Sequence, residues 1–177
     1  MSSARYVIDL SHSHASFSVR HLMISNVRGE FQKFGGKVEY DPENPANTKV
    51  SVSLDVASIN TREEKRDAHL RSGDFFDAEH HPAITFQSTG ARAGSNGLEI
   101  VGALTIRGVT REVALKVEEV TPEAKDPYGN TRIGASASTK IKRSDFGVNW
   151  NAVIEAGGVV VGDEVKIQLE VELIKQA

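Results

Sequence analysis

Apolar and polar residues alternate along much of this chain, and this period of two limits what the chain can fold into. The stretch at 50–56 reads VSVSLDV, and the stretch at 165–173 reads VKIQLEVEL. Because successive side chains of a strand point to opposite faces, this alternation predicts antiparallel strands with one dry and one wet face. The same pattern recurs at 15–21, 98–106, 113–118 and 133–141.

Turn residues separate these stretches and set the number of strands. The segments GSNG at 94–97 and RGVT at 107–110 each stand between two alternating runs, as in a β-hairpin. Gly35-Gly36 predicts a β-bulge, since apolar residues are odd-numbered before the pair and even-numbered after it. About eight strands result, several of them long enough to bend into a closed wall. We therefore predict an all-β protein, an eight-stranded antiparallel β-barrel formed by one domain over residues 1–177.

Two irregular segments interrupt the alternation. The segment at 61–76 contains good helix formers, and Thr61 with Glu64 resembles a capping box, which predicts a short helix across one barrel end. The segment at 144–162 reads as a long loop. A barrel of this size is either packed solid or holds one small ligand, and long loops favour a covered ligand-binding mouth.

Composition excludes several classes of protein. A formal net charge of −3 over 177 residues provides no general attraction to nucleic acid. The chain has no cysteine and therefore neither disulfides nor thiolate metal sites. No apolar run approaches the roughly 18 residues of a membrane helix, and the opening MSSARY lacks the features of a signal peptide. We expect a cytoplasmic protein without an integral membrane segment and without a cofactor.

Histidines offer one possible site for chemistry. His12 and His14 have the spacing of two residues on one strand face, and His21 could join them as a third metal ligand. The alternative is that His12 and His14 form hydrogen bonds at the start of a strand. A clear third ligand and a fourth ligand are not evident, and we predict no metal.

Two further groups also allow two interpretations. Acidic and basic residues around the predicted helix form either ion pairs on a solvated helix or a polar collar facing an anionic headgroup. Aromatic residues in the two irregular segments either complete the core or gate a cavity. Those residues are Phe75, Phe76, Phe146 and Trp150.

Several short stretches together resemble the YceI-like family, also called polyisoprenoid-binding proteins. Each stretch is weak alone, but their order and spacing are specific and extend from about Tyr6 to Leu173. They are DLSHS at 9–13, FSVRH at 17–21, VRGEF at 27–31, SINT at 58–61, RDAHLRS at 66–72, DFFD at 74–77, PAITF at 82–86, GALTIRGVT at 102–110 and RSDFG at 143–147.

The resemblance implies a lipocalin-like eight-stranded barrel with a helix near one end, a homodimer, and an apolar interior that holds a polyprenyl phosphate or quinone-like isoprenoid. The implied polar residues of the mouth, which could equally be framework residues, are His12, Arg66, Arg71, Asp74 and Arg143. The implied ligand-binding residues are Phe17, Val19, His21, Phe31, Val52, Leu54, Phe75, Phe76, Ile84, Phe86, Leu104, Ile106, Leu115, Val117, Phe146 and Trp150.

Three functions follow as hypotheses. The first is non-enzymatic binding or carriage of a long-chain isoprenoid or similar amphiphilic lipid, with no catalytic residue. The second is a metal-dependent enzyme that acts on a hydrophobic substrate through His12, His14 and His21. The third is a solid barrel that binds a protein partner.

Overall fold

The computed structural model describes residues 3–22, 24–94, 97–151 and 160–177. Within these residues lie twelve strands and one α-helix, α1 (Glu64–Arg71). The strands are β1 (Ala4–Ile8), β2 (His14–His21), β3 (Ser25–Phe31), β4 (Phe34–Tyr40), β5 (Lys49–Asp55), β6 (Ile59–Asn60), β7 (Ala83–Gly94), β8 (Gly97–Ile106), β9 (Val109–Val120), β10 (Ala124–Lys125), β11 (Thr131–Lys142) and β12 (Val161–Lys175).

The strands close into an eight-stranded antiparallel barrel, as predicted. Three of the eight barrel strands consist of two segments each, separated by a short turn. These pairs of segments are β1 with β2, β3 with β4, and β5 with β6. Strands β7, β8, β9, β11 and β12 follow in order, and β12 returns to pair with both β1 and β2. Barrel strands that are consecutive in the chain are therefore neighbours around the barrel, as in an up-and-down barrel.

The two-residue turn at Arg107-Gly108 confirms the predicted hairpin between β8 and β9. Both residues have positive φ, 51° and 74°, which matches the right-handed twist of the flanking strands. The predicted bulge at Gly35-Gly36 was wrong, because the strand breaks earlier, at Gln32 and Lys33. A Cβ at Gly36 would lie 2.4 Å from the Ser51 carbonyl oxygen, so close approach of β5 explains this glycine. The other predicted turn, at Ser95-Asn96, lies outside the described residues.

Helix α1 confirms the predicted helix near one barrel end, but its cap differs from the prediction. Glu63 is the N-cap, and its carboxylate accepts a hydrogen bond from the Arg66 amide. Thr61 lies before the helix and is buried, where its amide and hydroxyl both donate to Asp67 Oδ1, at 2.9 and 2.5 Å. This buried contact fastens α1 to the end of β6 instead of capping the helix. No helix in the described part of the chain is long and apolar enough to span a membrane.

Candidate ligand-binding interior

The barrel interior near α1 contains a cavity of about 190 Å³ with an almost wholly apolar wall. The inward positions of the alternating strands supply most of this wall, as their period of two requires. The predicted ligand-binding residues that line it are Phe17, Val19, Phe31, Val52, Leu54, Phe75, Phe76, Ile84, Phe86, Leu104, Ile106, Leu115 and Phe146.

A second interior cavity, of about 90 Å³, lies toward the opposite end and includes Val117 in its wall. Val50, Val52, Leu115 and Leu169 line both cavities and so form the partition between them. Each cavity is smaller than the roughly 300–1,000 Å³ of a typical ligand pocket. One ligand could occupy both spaces only if these four side chains changed rotamer.

Several lining residues were missed by sequence reasoning. They come from β9, β11 and β12, from helix α1 and from the segment that follows β11, and they are Leu70, Val113, Thr139, Ile141, Val148, Val161, Val165, Ile167 and Leu169. The alternation of VKIQLEVEL already placed Val165, Ile167 and Leu169 on one face. Extending the pocket to every strand with this alternation would have identified most of them.

Aromatic rings close the α1 end. Phe76 meets Phe31 edge-on at a centroid distance of 6.0 Å, and Phe31 packs on Phe17 at 5.8 Å. Trp150 contacts Phe75 at 5.4 Å without lining the cavity itself, so it forms a further layer outside the wall. His21 also does not line either cavity, because it is the last residue of β2. The structure therefore corrects the predicted lining at Trp150 and His21.

The arginines of the predicted mouth bind the protein framework. Arg66 donates from Nε to the Thr61 hydroxyl at 2.7 Å and from Nη2 to the Thr61 carbonyl at 2.6 Å. Arg71 donates to the carbonyl oxygens of Ala57 and Ile59, at 3.1 and 3.4 Å. Both side chains tie α1 to the strand segment before it, which favours the framework interpretation.

Arg143 is the most buried of these cations, with 8% of its surface exposed. Its guanidinium donates to four backbone carbonyls, those of Gly162 (2.8 Å), Val148 (2.8 Å), Trp150 (2.8 Å) and Val161 (3.2 Å). Burial lowers the pKa of this guanidinium below its usual value. Arg143 therefore clamps the segment that follows β11 onto the start of β12, and it also borders the cavity.

Acidic side chains near α1 pair with histidines. Asp74 Oδ2 lies 2.9 Å from His69 Nε2, and the His69 ring meets Trp150 edge-on at 4.7 Å. Asp77 Oδ1 lies 2.9 Å from His80 Nδ1; this hydrogen bond lowers the pKa of Asp77 and raises the pKa of His80. The predicted mouth residue Asp74 is thus the partner of a histidine in the aromatic cover.

His12 lies away from this end, on the outer wall between β1 and β2. Its Nδ1 is 2.8 Å from Asp9 Oδ2, and Glu172 is nearby at 3.7 Å. This trio has the composition of a metal site, but Arg132 Nη1 donates to both carboxylates, at 2.6 and 3.1 Å. The hydrogen bond from Arg132, followed by that from His12, holds the pKa of Asp9 well below its usual range.

The three histidines of the enzyme hypothesis do not converge. His14 is exposed on the outer face of β2 beside Glu30, whereas His21 has the opposite parity at the far end of the same strand. Seven residues of strand separate them by roughly 23 Å. Strand geometry therefore divides the alternative site at His12, His14 and His21 between two faces of the sheet.

Comparison with known proteins agrees with this fold. Residues 6–173 match the model of the YceI-like domain. The chain is similar to UPF0312 protein SA2479 of Staphylococcus aureus (strain N315), with 35% identity over 168 residues, which are 94% of this chain and 95% of the relative.

Solved structures show the same architecture. The Campylobacter jejuni YCEI protein superposes with a TM-score of 0.74 at 33% identity, covering 89% of this chain and 90% of that chain. A polyisoprenoid binding domain from Saccharophagus degradans, described as implicated in plant cell wall breakdown, has a TM-score of 0.66 at 14% identity, covering 98% and 99%. At that identity the second likeness concerns the fold alone. With the family model spanning nearly the whole barrel, this chain belongs to the YceI-like family.

Proposed function

We propose that this protein binds and carries, without catalysis, a long-chain isoprenoid or a similar amphiphilic lipid inside its barrel. The observation that carries the proposal is the apolar interior, in which two cavities share a partition of four aliphatic side chains. Membership of the YceI-like family supports it, as does the fold shared with a polyisoprenoid binding domain.

The physical basis is the removal of hydrocarbon from water. Each buried CH₂ contributes about 0.8 kcal/mol, so a tail of several isoprene units is retained without any specific polar contact. The interior also lacks a buried side-chain nitrogen or oxygen atom without a hydrogen-bond partner in the described part of the chain. A polar head therefore gains little from entering and stays outside the aliphatic space.

Two inward substitutions test the assignment of the interior. Leu104→Arg and Phe86→Asp place a charge on the cavity wall, where Leu104 and Phe86 are 7% and 6% exposed. The matched controls, Thr105→Arg and Gln87→Asp, place the same charges on the neighbouring outward positions of β8 and β7. Native mass spectrometry with organic extraction measures retained lipid, and circular dichroism checks that each variant folds.

We expect the wild type and both controls to retain lipid and the two inward variants to lose it. Equal retention by all folded variants would place the lipid outside the barrel. A wild-type protein that neither copurifies with lipid nor takes up an added isoprenol would favour the solid barrel that binds a protein partner.

Three further features are part of the proposal. Residues 1–177 form one folding unit, the protein acts as a homodimer, and it resides in the cytoplasm. Limited proteolysis, sedimentation of the purified protein and fractionation of cells test them separately. None of these outcomes bears on whether the barrel interior holds lipid.

A further inference from the structure

One seam of the barrel is only half paired. The ladder between β9 and β11 joins Lys116 to Val120 of β9 with Ala135 to Ser138 of β11, with a register shift in the middle. Residues 109–115 of β9 pair with β8 alone, and residues 139–142 of β11 pair with β12 alone. Both stretches are described throughout, and within them two strand edges face each other without a shared ladder. Such edges leave backbone donors and acceptors open.

A cleft of about 540 Å³ occupies this half of the seam. Its wall includes residues 111–114 of β9 and 139–142 of β11, together with Asp145, Phe146 and Glu164. Four of its residues also line the interior cavity: Val113, Thr139, Ile141 and Phe146. A single layer of side chains therefore separates the apolar interior from the outside here.

A groove of about 570 Å³ adjoins the cleft on the outer wall. Ala114, Thr139 and Lys140 line both spaces, and Thr139 lines the interior cavity as well. Thr139 is thus the residue at which interior, cleft and groove meet. The serines of this groove, on outward positions of β2 and β11, are Ser16, Ser18 and Ser138.

The register of the strands places several basic side chains next to one another in the groove. Lys140 lies opposite Lys166, Lys166 opposite Ser18, and Ser18 opposite Arg28, so one row across three ladders carries three positive charges. Lys116 adds a fourth from the adjacent row, opposite Ser138. All four are exposed, and none of them forms an ion pair with a carboxylate in the described part of the chain. Like charges that face each other across strands are unfavourable unless an anion joins them.

We propose that the groove binds the anionic headgroup of an amphiphile, a phosphate or carboxylate, while its tail enters the interior between β9 and β11. This inference rests on the proposed function and names the headgroup class and the entrance. The lysines supply the charge and the serine hydroxyls supply hydrogen bonds. The arginines of the α1 end suit the role less well, because Arg66, Arg71 and Arg143 already donate to framework oxygens.

The first test separates headgroup from tail. Isothermal titration compares dodecyl phosphate, dodecanol and inorganic phosphate as ligands of delipidated protein. The variant Lys140→Gln/Lys166→Gln should bind dodecyl phosphate about tenfold more weakly, a loss of about 1.4 kcal/mol, and bind dodecanol unchanged. The control Lys37→Gln/Lys65→Gln removes two exposed lysines that do not line the groove and should change neither.

The outcomes distinguish this inference from the proposed function. If both dodecyl ligands bind the wild type and the Lys140→Gln/Lys166→Gln variant with equal affinity, the headgroup site is overturned and the lipid-binding function stands. Binding of neither dodecyl ligand by the wild type overturns both. If inorganic phosphate binds as tightly as dodecyl phosphate, the groove is a site for free anions, and the proposal that it holds a lipid headgroup is overturned.

The second test concerns the entrance. The chain has no native cysteine, so Glu112→Cys/Lys142→Cys introduces a single pair across the cleft that both residues line. A short, reducible bismaleimide joins the two edges. Uptake of dodecyl phosphate in stopped flow should slow at least about tenfold, about 1.4 kcal/mol in barrier height, and should recover on reduction. Unchanged uptake in the cross-linked protein, with the tethered form verified by mass, would overturn entry through this seam.

Discussion

The two ends of the barrel are closed in different ways. At the α1 end, irregular segments cover the larger cavity with aromatic rings, and arginines fasten these segments through backbone carbonyl oxygens. At the opposite end, Tyr6, Ile133 and Leu173 pack into a small separate core. Ionic contacts lie around that core, where Glu123 accepts from the Tyr6 hydroxyl at 2.9 Å and from Lys175 at 2.8 Å.

The α1 end is thus covered by loops, whereas the opposite end is sealed by the ends of the strands themselves. Loops bring no hydrogen-bond ladder of their own, so a cation that binds several carbonyls is an effective way to fix them over a cavity. Strand ends that already share a ladder need only side-chain packing and ion pairs. Loss of an arginine at the α1 end should therefore loosen the cover over the cavity. The stabilisation that the opposite end provides should depend on pH.

The largest expected effect sharpens the comparison at the α1 end. Arg143→Met removes the donors to four backbone carbonyls and should lower the free energy of unfolding by about 3 kcal/mol. Urea denaturation measures this loss, and Arg62→Met, an exposed arginine just before α1, is the control. The variant should also release a bound fluorescent fatty acid faster than the wild type. Release at the wild-type rate would show that the Arg143 clamp does not hold the cover.

A smaller effect is expected at the opposite end. Burial, followed by the hydrogen bond to Glu123, raises the pKa of Tyr6 to about 12. The folded state thus favours the protonated phenol, and this stabilisation is complete below pH of about 10 and is lost as pH rises through about 12. Tyr6→Phe should cost about 1 kcal/mol at pH 8, and its deficit should disappear by pH 12.

Urea denaturation between pH 8 and 12 measures the Tyr6 contribution. Tyr128→Phe is the matched control, since Tyr128 is 87% exposed. No Tyr6→Phe deficit at pH 8 would mean that ring packing alone stabilises the small core, and a deficit that stays constant over this range would show that the hydroxyl contribution does not depend on its ionisation.

The smallest effect concerns Arg132. Its guanidinium binds Asp9 and Asp126, at 2.6 and 2.7 Å, and these bonds hold the pKa of both carboxylates well below their usual range. The stabilisation is present above the unfolded pKa of about 4 and is lost as pH falls below it. Arg132→Gln should lower Tm by a few degrees at pH 7 and progressively less toward pH 2.

Scanning calorimetry across that pH range measures the Arg132 effect. The rate of fatty-acid release should remain at the wild-type value in Arg132→Gln, in contrast to Arg143→Met. Equal acceleration by both variants would break the distinction between a covered end and a sealed end.

Much of the barrel was predictable because alternation is a local property. The inward parity of Phe17, Leu104 and Leu115 is visible in the sequence, and all three line the larger cavity. The roles of Arg143 and Thr61 were not visible, because their partners depend on how irregular segments fold back on the strands. The alternative grouping of histidines finds no support in the structure for a related reason, since closeness along a strand does not place His14 and His21 on one face.

The sequence by itself determined the antiparallel strands, the apolar face of each and the short helix, because these depend on residues within a few positions of one another. Only the tertiary structure decided which seam is half paired, where Arg132 and Arg143 find their partners, and that Lys140, Lys166 and Arg28 share one row. Apart from the pairing of β2 with β3, those features depend on strands and segments that are far apart in the chain. Register arises from closing the whole barrel, and no local pattern encodes it.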